Sequence, residues 1–374
     1  MQEQRGIQIQ KAQTVESGER SALDTPDYSV MSPAIRDSAP PVFANEYAEL
    51  KRLMKQKGLL KKQPIYYTCK ILLTMGLLAV SLVFLFVVNN FWLQILNAAY
   101  LGFVFTQVSF LAHDIGHRQV FCTPRITDIS GLLMGNFLLG WSWGWWIDRH
   151  NKHHGSPNQL DLDPDIAMPL LAFTEKEALS RQGFLRFMAK YQAYLFFPLL
   201  LLVVFSGLLW GIQFLLQKKA KYLLAEVLLM VAHYLLYFGL LLTRLNIWQA
   251  VLFFVVNYAL RGLYFGSVFA PNHKGMLVLD KDNPLDFLHQ QVLTSRNVKA
   301  SLFTDFWYGG LNYQIEHHLF PTMPRNRLKE AQQIVKAFCK EHSIAYHETG
   351  MLQSYREILH SLHEISVSLL AEKV

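Results

Sequence analysis

F-W-L-Q-I-L-N-A-A-Y-L-G-F-V-F-T-Q-V-S-F-L-A-H-D-I-G-H, residues 91–117, runs from an apolar stretch straight into two histidines four positions apart. About 20 apolar residues cross a hydrocarbon core, so Phe91–Ala112 is predicted to span a membrane and His113 to emerge at its end. On a helix, positions i and i+4 share a face, so His113 and His117 point the same way. The juxtaposition recurs. H-N-K-H-H (His150–His154) follows the apolar stretch 129–147, and Q-I-E-H-H (Gln314–His318) lies beyond the last apolar run. A lone His273 follows that run directly, in F-A-P-N-H-K-G.

Composition supports a membrane protein. Apolar residues make up 52 % of the 374 residues and charged residues 17 %, against roughly 25 % charged in soluble domains. Mean hydropathy is +0.17. The net charge of +7 is carried by basic residues that flank apolar runs, which is a positive-inside pattern and not a nucleic-acid surface. Cys69, Cys122 and Cys339 are too few and too scattered for a disulfide framework or a thiolate metal site. Residues 1–47 lack an apolar segment of signal-peptide type and read as a polar N-terminal arm.

The spans follow by parity. Lys51, Arg52, Lys55, Lys57, Lys61 and Lys62 precede the first apolar run, Ile65–Val88, and place its start in the cytoplasm. Asn89-Asn90 turns the chain, and Phe91–Ala112 brings His113 back to the same side. A full crossing over 129–147 would separate the first two clusters, so this stretch is predicted to lie in or dip into the interface. Trp141, Trp143, Trp145 and Trp146 then suit an interfacial belt. Of the runs Tyr194–Leu216, Leu223–Leu242 and Ile247–Ala270, only two can cross if all clusters cooperate. Pro198 and the basic group Lys218, Lys219 and Lys221 mark the first as broken and shallow; Thr243–Asn246 joins the other two as a second hairpin. Asn272–Val374 reads as water-facing, with amphipathic helices around Arg325–Glu341 and Leu352–Leu370. The prediction is an all-α polytopic membrane protein. It has two transmembrane hairpins, about four spans, interfacial helices and a histidine-rich cytoplasmic cap. Residues 48–345 form the membrane domain with its cap, and residues 346–374 an amphipathic C-terminal helix.

Imidazole suits several transition metals, so ligand type alone does not name the ion. Ligand number discriminates. A catalytic zinc takes roughly three protein ligands, and no H-E-x-x-H occurs. His113, His117, His150, His153, His154, His273, His317 and His318 suit two irons with about four imidazoles each. Asp114, Asn151, Asp161, Asp163, Asn272, Asp305, Asn312 and Glu316 lie near enough in sequence to orient them. His233, mid-span, is read as hydrogen-bonded within the bundle, and His289, His342, His347, His360 and His363 as surface residues.

The three boxes, their order and the intervening hairpins resemble the membrane fatty acid desaturases over roughly residues 64–345. G-G-L-N-Y-Q-I-E-H-H-L-F-P (Gly309–Pro321) is similar to the third box of front-end acyl desaturases. N-H-K-G (Asn272–Gly275) and Q-V-L-T-S-R-N-V (Gln291–Val298) resemble bacterial members. The resemblance implies a diiron centre that uses dioxygen as co-substrate to remove two hydrogens from an acyl chain, leaving a cis double bond. Its ligands would be the seven box histidines, with His273 as an extra one. Gln314, where many desaturases have His, implies the front-end (delta-5/delta-6) type. No H-P-G-G haem motif occurs. The resemblance therefore implies a separate electron donor, a ferredoxin or a small cytochrome with its reductase. The substrate would be a fatty acyl lipid or acyl thioester, and the setting a bacterial inner membrane with the active site on its cytoplasmic side. An acyl hydroxylase on the same scaffold is the alternative, and a non-catalytic metal-binding membrane protein a distant one.

Overall fold

A computed structural model describes residues 43–371. The N-terminal arm read from residues 1–47 lies, up to residue 42, outside the described residues. Helix α1 (Phe43–Gln56) packs Leu50 and Met54 into the histidine-bearing cap. Helices α2 (Pro64–Val87) and α3 (Phe91–Gly116) form the first hairpin. Pro64 opens α2, where its missing N–H costs nothing. Gln94 closes the turn: its amide donates to the carbonyls of Phe84, Leu85 and Val88 that end α2. Ser81 donates to Asn97 at 2.8 Å across the same pair, a polar link that water cannot replace inside a bilayer.

The stretch read as one interfacial helix over 129–147 is instead two helices and a reversal. Helix α4 (Pro124–Leu132) passes into a π-helical turn (Leu133–Leu138), and the chain turns at Gly140 before α5 (Trp143–Gly155). Gly140 has φ +68°, and a Cβ there would sit 2.6 Å from the His233 ring. A buried carboxylate explains the break. Glu226 accepts from Ser142 Oγ at 2.6 Å, from Asn136 at 3.2 Å and from the Gly144 N–H at 3.2 Å, gathering donors left free where α5 begins. Trp141 and Trp143 consequently leave the expected belt and are buried. Trp141 lies over the Arg261 guanidinium at 4.8 Å, and Arg261 donates to Leu139 O at 3.0 Å.

Helices α6 (Glu175–Ser180) and α7 (Gly183–Lys190) lead to α8 (Gln192–Leu200) and α9 (Val203–Leu216). The last two meet at 72°, the broken element expected from Pro198. Helix α10 (Leu223–Leu242) and helix α11 (Ile247–His273) form the second hairpin, with a capping box between Asn246 and Gln249. His233 donates from Nδ1 to Phe137 O at 2.8 Å, the bond within the bundle expected of it.

Among the described residues, α2, α3, α10 and α11 are long and apolar enough to cross a membrane. They are not equivalent. The apolar windows of α3 and α11 are 67 % and 44 % buried, those of α2 and α10 only 17 % and 22 %. The inner pair touches closely at Gly102, whose Cβ would lie 3.0 Å from Asn257 O. These inner helices carry His113 and His273 at their ends.

The cap consists of α12 (Phe287–Leu293), α13 (Leu302–Trp307), α14 (Gln314–Leu319), α15 (Leu328–Glu341) and α16 (Met351–Ala371). A two-residue parallel pair, β1 (Asn297–Val298) with β2 (Glu348–Thr349), ties it together. Residues 302–307 depart from the water-facing reading. Trp307 packs 4.1 Å from Tyr264 of α11, and Phe306 lies 6.0 Å from Phe103 of α3. Leu302 and Phe303 stay exposed beside these spans, where lipid would cover them. His347 also departs from its surface reading: its Nε2 meets Glu357 at 2.9 Å.

Candidate metal centre

Four elements deliver the eight histidines. The last turn of α3 presents His113 and, at its cap, His117; α5 presents His150, His153 and His154; α11 ends on His273; α14 carries His317 and His318. They fall into two sets within which ligand atoms lie no more than 4.8 Å apart: His113, His117, His150, His154 and His317, and then His153, His273 and His318. The neighbours His153 and His154 part company, as do His317 and His318, because adjacent helical residues point about 100° apart. The imidazoles thus group as five and three, beside the expectation of about four for each of two irons.

Ring nitrogens face one another within the sets. Nε2 of His117 and His150 are 2.8 Å apart, those of His154 and His317 3.2 Å, and those of His153 and His273 3.2 Å. Nε2 of His113 and of His318 is buried with no hydrogen-bond partner. Burial, reinforced by the neighbouring imidazoles, holds His150, His154, His317 and His318 well below the ordinary histidine range, and His117 is pushed down to about 3. Neutral rings with free lone pairs are the state that binds a metal ion.

The smaller set is held from behind. Nδ1 of His153 lies 3.0 Å from Asp163, which also accepts from the N–H groups of Asn158 and Asp165 at 2.8 Å. Burial works against charge on His153, but the Asp163 and Asp165 carboxylates outweigh it and raise its pKa. His273 donates from Nδ1 to Thr294 O at 3.0 Å, and Nδ1 of His318 is 2.8 Å from Gln291 Oε1. Each ring therefore keeps Nε2 for the centre. Gln314 Nε2 lies 2.9 Å from His273 Nε2, and Asn272 donates to Gln314 Oε1 at 2.9 Å.

The other expected orienting residues divide. Asp114 is 3.5 Å from His113 Nδ1 but pairs more closely with Arg325, at 2.5 Å. Glu316 turns away from the histidines to Asn297 and Tyr346, each at 2.7 Å, and burial pushes its carboxyl up to about 7. Asn312 bonds Asp305 at 2.9 Å. Asn151 is exposed, and so is Asp161. Sequence reasoning assigned no role to Gln291, Thr294, Asn158 or Arg325. The first two stand in Q-V-L-T-S-R-N-V, a segment already conspicuous.

A small, largely apolar cavity of about 20 Å³ borders this centre. It is lined by Ser109, Leu139, Trp141, Phe265 and Phe269 and reaches His113.

The fatty acid desaturase family model matches residues 90–350, which include every one of these histidines. The chain belongs to the fatty acid desaturase family. Similar curated relatives are the acyl-lipid (9-3)-desaturase of Physcomitrium patens, 31 % identical over 87 % of this chain, and the delta(6)-fatty-acid desaturase fat-3 of Caenorhabditis elegans, 29 % identical over 94 %. A delta(8)-fatty-acid desaturase of Euglena gracilis is 30 % identical over 80 %. The matches span 63 %, 81 % and 74 % of those proteins, so the chain aligns with less than two thirds of the length of the Physcomitrium patens protein.

Proposed function

We propose that this membrane protein is an oxygen-dependent front-end acyl desaturase whose two histidine sets hold two iron ions. The observation that carries the reading is the convergence of eight imidazoles on two adjacent points beside an apolar cavity that ends at His113. The residues fit iron: imidazole nitrogen donors, two orphaned buried Nε2 atoms, and no cysteine in either set among the described residues. When bound, the irons supply dioxygen activation and the oxidising power to take hydrogen from an unactivated methylene.

The chain's own residues do the rest. Phe265, Phe269, Leu139 and Trp141 give the space beside His113 apolar walls, which suit an acyl methylene and disfavour water there. Asp163, Thr294 and Gln291 fix ring orientation in the smaller set. Gln314 completes that set. With the amides of Gln314 and Asn272 both turned over, Asn272 Oδ1, otherwise unpartnered, accepts from Gln314, and the Gln314 carbonyl faces His273 Nε2. A separate donor, a ferredoxin or small cytochrome with its reductase, supplies electrons. The basic segments favour a cytoplasmic site, in a bacterial inner membrane by the sequence resemblance alone.

The test is expression in a host without polyunsaturated fatty acids, fed oleate, linoleate or alpha-linolenate, with an electron donor co-expressed. Gas chromatography–mass spectrometry with double-bond localisation reads the product, and His317→Ala is the control. A new double bond on the carboxyl side of the existing one, absent from the control, is expected. A bond elsewhere would remove the front-end assignment, and a hydroxylated product would replace desaturation.

A further inference from the structure

The cavity beside His113 has a size and a lining that together select an occupant. Its volume is about 20 Å³. A water molecule needs roughly 10–15 Å³ of such space, so one small molecule fits and a length of acyl chain does not. The inner spans supply two sides, Ser109 and Ala112 from α3 and Phe265 and Phe269 from α11. The reversal before α5 supplies another, with Leu139 and Trp141.

The polar groups of this lining are already engaged. Ser109 Oγ donates to Phe105 O at 2.8 Å, inside its own helix, and Ser142 Oγ donates to Glu226 at 2.6 Å. Gly135 O accepts from the Trp141 N–H at 2.9 Å, and Leu139 O accepts from Arg261 at 3.0 Å. Among the buried side-chain atoms of the lining residues, only His113 Nε2 and Trp141 Nε1 lack a partner. His113 Nε2 belongs to the metal centre, which leaves one indole N–H. A buried water makes about three hydrogen bonds, so a single donor does not hold one. Dry apolar cavities take up xenon instead. A gas molecule enters between moving side chains, for which an acyl chain is too large.

Placement narrows the choice of gas. His113 is a member of the larger histidine set, and Trp146, also in the lining, stacks on His150 of that set at 4.6 Å. The opposite walls belong to spans α3 and α11, and the apolar interior of a bilayer dissolves dioxygen better than water does. The reaction proposed above consumes this gas at this centre.

We propose that this cavity is a docking site for dioxygen, held beside the larger histidine set. The acyl chain then passes the cavity and does not fill it. The identity of the gas rests on the desaturase reading, whereas the binding of an apolar gas does not.

Xenon under pressure reads the site without turnover, in crystals of the iron-loaded full-length protein. An anomalous peak is expected between His113, Trp141 and Phe269. It should vanish in Ser109→Val, whose added methyl groups take up the space. In turnover, Ser109→Val should raise the KM for dioxygen on the order of tenfold, the effect of losing about two methylenes' worth of apolar contact. The KM for the acyl substrate should hold. Ser109→Ala removes the hydroxyl and keeps the space, so it should retain the peak and the wild-type KM for dioxygen; this separates a filled cavity from a lost hydrogen bond. An ordered water in the cavity, no xenon there, or a Ser109→Val chain whose acyl KM rises while its dioxygen KM holds would each overturn the proposal. Xenon in the cavity of a chain that makes no oxidised product would instead sink the desaturase reading and leave an apolar gas site standing.

Discussion

The two histidine sets solve the same problem in opposite ways. The larger relies on number. Five imidazoles surround one point, and the backing is thin: His154 Nδ1 has no partner, Asp114 answers to Arg325 more closely than to His113, and His150 is steadied by stacking on Trp146 at 4.6 Å. The smaller relies on backing. Its three rings each have an Nδ1 partner, and Gln314 stands beside them. A site with spare ligands tolerates loose rings, whereas a site with few ligands needs each ring aimed.

The largest effect should come from removing a ring. His273→Ala leaves the smaller set with two imidazoles and should release its ion and abolish turnover. His317→Ala leaves four imidazoles in the larger set and should keep both ions while turnover is lost. Iron per chain, measured by plasma mass spectrometry, separates the two, and equal iron loss in both variants would break the comparison.

Removing the backing should matter on one side. Asp163→Asn should weaken metal retention by about 10- to 100-fold in chelator competition. Asp114→Asn should change it little, because Asp114 serves Arg325 at 2.5 Å. An equal response would mean that the larger set depends on its backing too.

Gly116 tests the stacking support. A Cβ there would lie 2.5 Å from the Trp146 ring, so Gly116→Ala must displace the ring that stacks on His150. A cost of about 1–3 kcal/mol is expected for such overpacking. It should be read as a lower melting temperature of the metal-loaded protein and faster iron loss from the larger set.

Acid should reach the smaller set first, and more gently. Arg296 donates to the carbonyls of Pro271 and Lys274 on either side of His273, and it is anchored by Glu357. Burial pushes the Glu357 carboxyl up, but the His347 hydrogen bond and the Arg296 charge outweigh this and hold it below its usual value. A depressed carboxylate pKa gives stability that is complete above the unfolded value and is lost as pH falls through the folded one. Melting temperature should therefore decline below about pH 4.5, with a shallower decline in Glu357→Gln over the same window. Identical slopes would remove Glu357 from the account.

Much of this was legible before any coordinates. The paired hairpins follow from run length, and the meeting of the clusters at one end of the bundle from parity. The broken run could be read from Pro198 and its basic flank. The reversal at Gly140 could not, because the donors that stop a continuous helix there are collected by Glu226, some 80 residues onward. Nor could the aromatic residues of 302–307 be placed, since their partners Phe103 and Tyr264 sit on spans remote in sequence.

By itself, the sequence singled out the eight histidines at the ends of apolar runs and which of them share a helical face. Helical period and apolar length are local properties, carried by neighbouring residues. Only the tertiary structure decided the division into five and three and the choice of Asp163 over Asn151 as a partner. Those depend on where helices cross. His154 meets His317 across 163 positions and His153 meets His273 across 120, and no local pattern encodes such meetings.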